Sequence, residues 1–193
     1  MKLALSTLSL ALLALTGSAM AAPTQYTLDP DHTHPSFETD HFGGVSVWRG
    51  LFKKTTGSVT LDKAAGTGTV EAVIETASIE LGHDKLNGHA ASPDMLDAAK
   101  FPTATYKGTL GNFANGAPTT VTGTLTLHGV TKPVNLKVNT FKCFQNPMIK
   151  KEVCGADAFG TFNRADFGVN YGEKYGFNQE VTLRIQVEGV KAE

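Results

Sequence analysis

Along most of the chain, apolar and polar residues alternate one by one. In the run from Val121 to Leu127, one side carries Val121, Gly123, Leu125 and Leu127, and the other carries Thr122, Thr124 and Thr126. Val134, Leu136 and Val138 alternate with Asn135, Lys137 and Asn139. Near the C-terminus Val181, Leu183, Ile185 and Val187 alternate with Thr182, Arg184 and Gln186, and earlier Val70, Ala72 and Ile74 alternate with Glu71. A period of two puts one face of each run towards a core and the other towards water, which is the pattern of a half-buried strand. The same reading predicts strands over 50–62, 103–113 and 155–164. Turn chemistry separates them at Ala64-Ala65-Gly66, Asn115-Gly116 and His128-Gly129.

The period fails over residues 78–100. Ser92 followed by Pro93 reads as an N-cap and a first helical position, and Phe101-Pro102 as a stop. One or two short helices are expected here, set between strands. About eight evenly spaced, mostly antiparallel strands make an all-β domain, either a closed barrel or a sandwich. The apolar faces hold many small residues, such as Ala72, Ala104, Gly108, Ala156 and Gly160. In a barrel of ~8 strands such residues leave a bore, or else they mark the bends where the sheet curls.

Composition narrows the function. The chain has 193 residues, a net charge of −1 and two cysteines. That is one domain without the clustered positive charge that nucleic acid or an anionic membrane surface requires. Residues 1–21 read as a cleaved secretory signal, with Lys2, an uncharged apolar run and a cleavage pattern ending near Ala21. The run is shorter than the ~20 apolar residues of a spanning helix, so stable membrane insertion is not expected. Residues 22–193 are then the mature domain, and the destination is the periplasm. In that oxidising setting Cys143 and Cys154 are expected to close a long hairpin loop with a disulfide.

Three histidines, His32, His34 and His41, share a short segment with several carboxylates, and could hold a metal ion in an envelope enzyme. His83 and His89 lie near Asp84 and Asp94, but no nucleophile elbow, phosphate loop or zinc-protease motif accompanies them. No catalytic residue, metal or cofactor is assigned, and the expectation is a protein that is not an enzyme. The aromatic supply points elsewhere. Phe37, Phe42, Trp48 and Phe52 fall in one short span, and Met95, Leu96, Phe101, Tyr106 and Phe162 add to it. An apolar pocket with few polar groups is the general form of a small-molecule site.

Four stretches, in order, resemble the YceI-like family of exported, lipocalin-like, polyisoprenoid-binding proteins. They are Tyr26-Thr-Leu-Asp-Pro-Asp-His32 with Phe37 and His41-Phe-Gly43; Gly50-Leu-Phe52 with residues 57–62; Ile79 through Ser92-Pro-Asp-Met-Leu-Asp97 with Lys100-Phe-Pro-Thr-Ala-Thr-Tyr106; and Gly123-Thr-Leu-Thr-Leu-His-Gly-Val-Thr-Lys-Pro-Val134. The resemblance implies an eight-stranded antiparallel barrel whose bore holds an isoprenoid lipid such as ubiquinone or a polyprenyl chain, for binding, storage or transport. Ile74, Leu86, Leu125, Leu127, Val138 and Ala158 join the aromatic set as expected bore and mouth residues, and His89 matches the histidine of the family's insert. Leu86-Asn87 and Ala90-Ala91 depart from the family's usual residues beside that histidine. A homodimer and a stress-related interaction role are the further alternatives.

Overall fold

The computed structural model describes residues 22–193. The expected secretory signal lies outside the described residues. Twelve strand segments and one α-helix follow in order: β1 Thr24–Leu28, β2 Ser36–His41, β3 Ser46–Phe52, β4 Thr55–Asp62, β5 Thr67–Glu75, β6 Ile79–Glu80, α1 Asp84–Ala91, β7 Thr103–Gly111, β8 Thr120–Leu127, β9 Val130–Pro133, β10 Leu136–Asn146, β11 Lys151–Asn163 and β12 Glu180–Lys191.

Eight of them close into an antiparallel barrel in the order β1-β4-β5-β7-β8-β10-β11-β12, and β12 pairs back onto β1. The alternation reaches this result because one apolar face per strand has to meet others of its kind, and closure leaves no open edge. Three strand lines are broken and make a second tier. The end of β12 that pairs Leu183 with Phe37 carries β2, which pairs with β3, which pairs with β6. The strand expected over 50–62 is therefore two. It breaks at Lys53-Lys54, where the Lys53 N–H donates to the Ser78 carbonyl and the Lys54 N–H to the Ser78 hydroxyl.

The predicted turns form where expected. Asn115 and Gly116 both adopt positive φ, 52° and 77°, the tight hairpin geometry in which glycine carries no Cβ penalty. His128-Gly129 does the same between β8 and β9.

Two local expectations change. The helix does not start at Ser92. It runs over Asp84–Ala91, with His83 as N-cap accepting the Leu86 N–H at 3.3 Å. Ser92 ends it instead. Its N–H and its hydroxyl both go to the His89 carbonyl, so the hydroxyl cannot cap a following helix. Residues 92–100 continue as hydrogen-bonded turns. The cysteine hairpin also differs: β10 and β11 zip past the cysteines, leaving only residues 147–150 as the loop. Cys143 and Cys154 are directly opposed in the ladder and joined by a disulfide.

Candidate functional site

The barrel encloses a cavity of about 560 Å³. Its wall comes from the inward positions of the alternating runs, including Val59 and Leu61 of β4, Val70 and Ala72 of β5, and Leu183 and Ile185 of β12. Small residues leave room where larger ones would collide. A Cβ on Gly123 would stand 2.6 Å from the Tyr106 ring, so glycine is what lets that ring lie across the interior. Tyr106 donates to the Val134 carbonyl at 2.9 Å, and burial pushes its hydroxyl pKa up to about 12.

One end is sealed. Tyr26, Leu61, Leu110 and Val121 are buried there. The Tyr26 hydroxyl donates to Glu152, which also accepts from Lys63 at 2.8 Å. Burial first, and Glu152 second, drive the Tyr26 pKa well above its ordinary value. A β-bulge between Val138 and Thr140 shifts the parity of β10, so that Phe141 rather than Thr140 joins the wall.

The other end is the mouth, marked by wall residues that also meet solvent: Phe42, 53% exposed, and Tyr171, 40% exposed. His41, Phe42 and Phe177 stack there, with Phe42 and Phe177 centroids 4.6 Å apart and His41 and Phe177 5.3 Å apart. Trp48 lies against His41 at 5.6 Å. Helix α1 and the turns after it cover this end with Leu86, His89, Ala90, Met95 and Leu96, and His89 meets the Tyr171 ring edge-on at 4.8 Å.

The charged groups of the wall, Asp40 and Arg164, both have internal partners. Asp40 accepts the N–H groups of Asn178, Gly43 and Gly44, which hold its carboxyl below the usual range and tie the β2–β3 hairpin to the loop before β12. Arg164 is buried and donates to the Val169 and Tyr171 carbonyls, at 2.8 Å each, and burial lowers its pKa.

All the candidate residues except Phe101 stand on the cavity wall. Phe101 lies outside it, against Gly129 and the His128 ring, 4.3 Å away. The turns of residues 92–100 deliver Met95 and Leu96 inward and carry Phe101 past the bore. The three N-terminal histidines do not converge. His32 pairs with Asp29 at 2.8 Å, His34 faces the Asp31 carbonyl, and His41 joins the aromatic mouth. Among the described residues the one group with metal-like spacing is Cys143, Glu152 and Cys154, whose sulfurs are spent in the disulfide. The wall also includes residues that no periodic signal marks: Thr33 and Thr55, the buried cation Arg164, and Phe177 in an irregular loop.

An antiparallel barrel closed at eight strands around an apolar bore, with one sealed end and one covered mouth, belongs to the lipocalin-like class. The chain belongs to the YceI-like family, since its residues 26–189 match the YceI-like domain. Protein YceI of Salmonella arizonae is 36% identical over 181 residues, covering 93% of each chain. A UPF0312 protein of Enterobacter sp. (strain 638) is also 36% identical over 181 residues, covering 93% of this chain and 92% of that one. Among solved structures, Burkholderia cenocepacia BcnA superposes with a TM-score of 0.65 at 25% identity, covering 83% of this chain and 98% of the other. A polyisoprenoid binding domain from Saccharophagus degradans superposes with a TM-score of 0.63 at 18% identity, covering 86% and 98%.

Proposed function

We propose that the protein is a periplasmic carrier of an isoprenoid lipid, a ubiquinone or polyprenyl chain, which it holds non-covalently with the tail in the bore. The observation that carries this is the cavity itself. It is large, lined almost wholly by apolar side chains, and has its charged groups partnered. Each buried CH₂ contributes ~0.8 kcal/mol, so a prenyl tail leaves water for such a wall without needing directed contacts. The structural neighbour described as a polyisoprenoid binding domain supports the ligand class. No helix among the described residues is long and apolar enough to cross a membrane. The disulfide suits an oxidising compartment. The carrier role requires no covalent chemistry, and none is assigned.

Titrating the lipid-free protein with ubiquinone and with the same headgroup lacking its tail tests this reading. Saturable, one-to-one binding of the tailed molecule alone is expected. Equal binding of both, or of neither, overturns it.

A further inference from the structure

Among the described residues, the exposed large hydrophobic side chains, Val73 apart, gather at the two ends of the barrel. At the mouth, the turn between β2 and β3 carries Phe42, Val45, 77% exposed, and Val47; the loop between β11 and β12 carries Tyr171 and Tyr175, 56% exposed. At the sealed end the β10–β11 hairpin carries Phe144, Met148 and Ile149. Strand β11 runs from one group to the other, leaving the hairpin at Lys151 and entering the mouth loop after Asn163.

The two mouth segments are fastened together. The Asp40 carboxylate accepts N–H groups from both, Gly43 and Gly44 of the turn and Asn178 of the loop. Phe42 stacks on Phe177, and a Cβ on Gly43 would come within 3.2 Å of the Gly176 carbonyl oxygen. Phe42 itself holds φ at 51°, a left-handed conformation that bulky residues rarely adopt. Such strain persists only where neighbours enforce it, and it collects at segments that contact ligands. Phe42 and Tyr171 line the cavity as well as meeting solvent, so the apolar surface runs unbroken from the rim into the bore.

Charge distinguishes the two ends. The turn over 42–45 has no ionisable side chain, and the loop over 170–178 has one acid and one base, Glu173 and Lys174. Helix α1 has Asp84, Lys85 and His89, and the turns after it Asp94, Asp97 and Lys100. The rim therefore has no excess positive charge with which to draw an anionic surface. The sealed-end hairpin does, with Lys142, Lys150 and Lys151. A second copy of the chain suits the rim poorly. Each side of a stable dimer buries ~20–30 residues, while the rim offers two short segments, 42–47 and 171–177, and two rims face to face would close both bores. Aromatic rings with an apolar body and a polar tip, as Tyr171 and Tyr175 have, suit the boundary between headgroups and acyl chains.

We propose that the mouth rim docks on the surface of a zwitterionic lipid bilayer, seating Phe42, Val45 and Tyr175 among the headgroups, so that the guest moves between bilayer and bore without crossing water. The inference rests on the lipid-carrier reading and names the surface from which the carrier loads. The contact is peripheral, and its strength scales with the apolar area it buries.

Cosedimentation with phosphatidylcholine vesicles tests this on the wild type, on the rim variant Val45→Glu/Tyr175→Glu and on the hairpin variant Met148→Glu/Ile149→Glu. Neither Val45 nor Tyr175 lines the cavity, so farnesol binding in solution should be the same in all three proteins. The wild type and the hairpin variant should partition onto the vesicles alike, and the rim variant at least about tenfold less. Raising the salt should change this little, since no net charge is engaged. Uptake of ubiquinone from the vesicles should slow in the rim variant alone. No partition of the wild type, or equal partition of wild type and rim variant, overturns the docking. So does partition lost only in the hairpin variant, or a dimer that the rim substitutions dissolve. Farnesol binding by the wild type leaves the carrier reading standing in each of these cases; its absence overturns that reading and the loading role with it.

Discussion

Asn87 and Glu80 join the covering helix to the barrel. The Asn87 side-chain nitrogen donates to a Glu80 carboxylate oxygen at 3.0 Å, while its side-chain oxygen accepts the Leu81 N–H at 2.7 Å. The Asn87 amide, the Gly82 N–H and Lys53 together hold the Glu80 carboxyl down at about 2. Asn87→Ala should therefore loosen the cover, and a bound fluorescent prenyl probe should leave about fivefold faster, as befits the loss of one or two modest hydrogen bonds. Because the folded value lies below the unfolded one (~4.3), the Glu80 contribution is complete above that point and is lost as pH falls towards about 2. Stopped-flow release measured across that window should accelerate on acidification in the wild type. Glu80→Gln should flatten the component that Glu80 contributes.

The close approach of Gly123 and Tyr106 gives a second outcome. Gly123→Ala drives a methyl group against the Tyr106 ring and should destabilise the protein by about 1–3 kcal/mol in urea unfolding. Part of that cost should be relieved in a Tyr106→Phe background, where the hydroxyl is gone. A cost that is simply additive across the two sites would show that the ring and the glycine are not in contact.

The disulfide lies beside the sealed end of the bore. It bridges residues 11 apart in sequence, and so constrains the unfolded chain by about 3 kcal/mol. Replacing Cys143 and Cys154 by serine together should lower the urea midpoint accordingly. Lipid affinity should change little, because Cys154 is only one element of a broad apolar wall.

Ala158 and Val73 separate the inside of the barrel from its outside. Ala158 is buried on the cavity wall, while Val73 is exposed on β5. Ala158→Trp should fill the bore and reduce prenyl binding more than tenfold with the circular dichroism spectrum retained. Leu125→Arg should do the same by placing an unpaired charge in it. Val73→Trp, of the same bulk on the opposite face, should leave binding unchanged.

The barrel was legible because strand alternation is a local property. Val121 to Leu127 and Val181 to Val187 declare their inward faces residue by residue, and closure follows from burying them together. The tier break at Lys53-Lys54 was not legible, because it depends on the distant Ser78 hydroxyl and carbonyl. The helix was displaced by a misleading signal. Ser92-Pro93 has the chemistry of a helix start, but the Ser92 hydroxyl was already committed to the preceding helix through His89. The bulge that turns Phe141 inward leaves no periodic trace. Arg164, Thr55 and Phe177 are polar or sit outside the regular runs, so only the tertiary closure puts them on the cavity wall.

The most direct measurement is native mass spectrometry of the protein isolated from its native cells without detergent, followed by extraction and fragmentation of whatever it holds. One isoprenoid lipid per chain is expected, with fragments showing the five-carbon repeat of a prenyl tail. A chain of bare protein mass, which also takes up no ubiquinone when supplied with it, would contradict the carrier role.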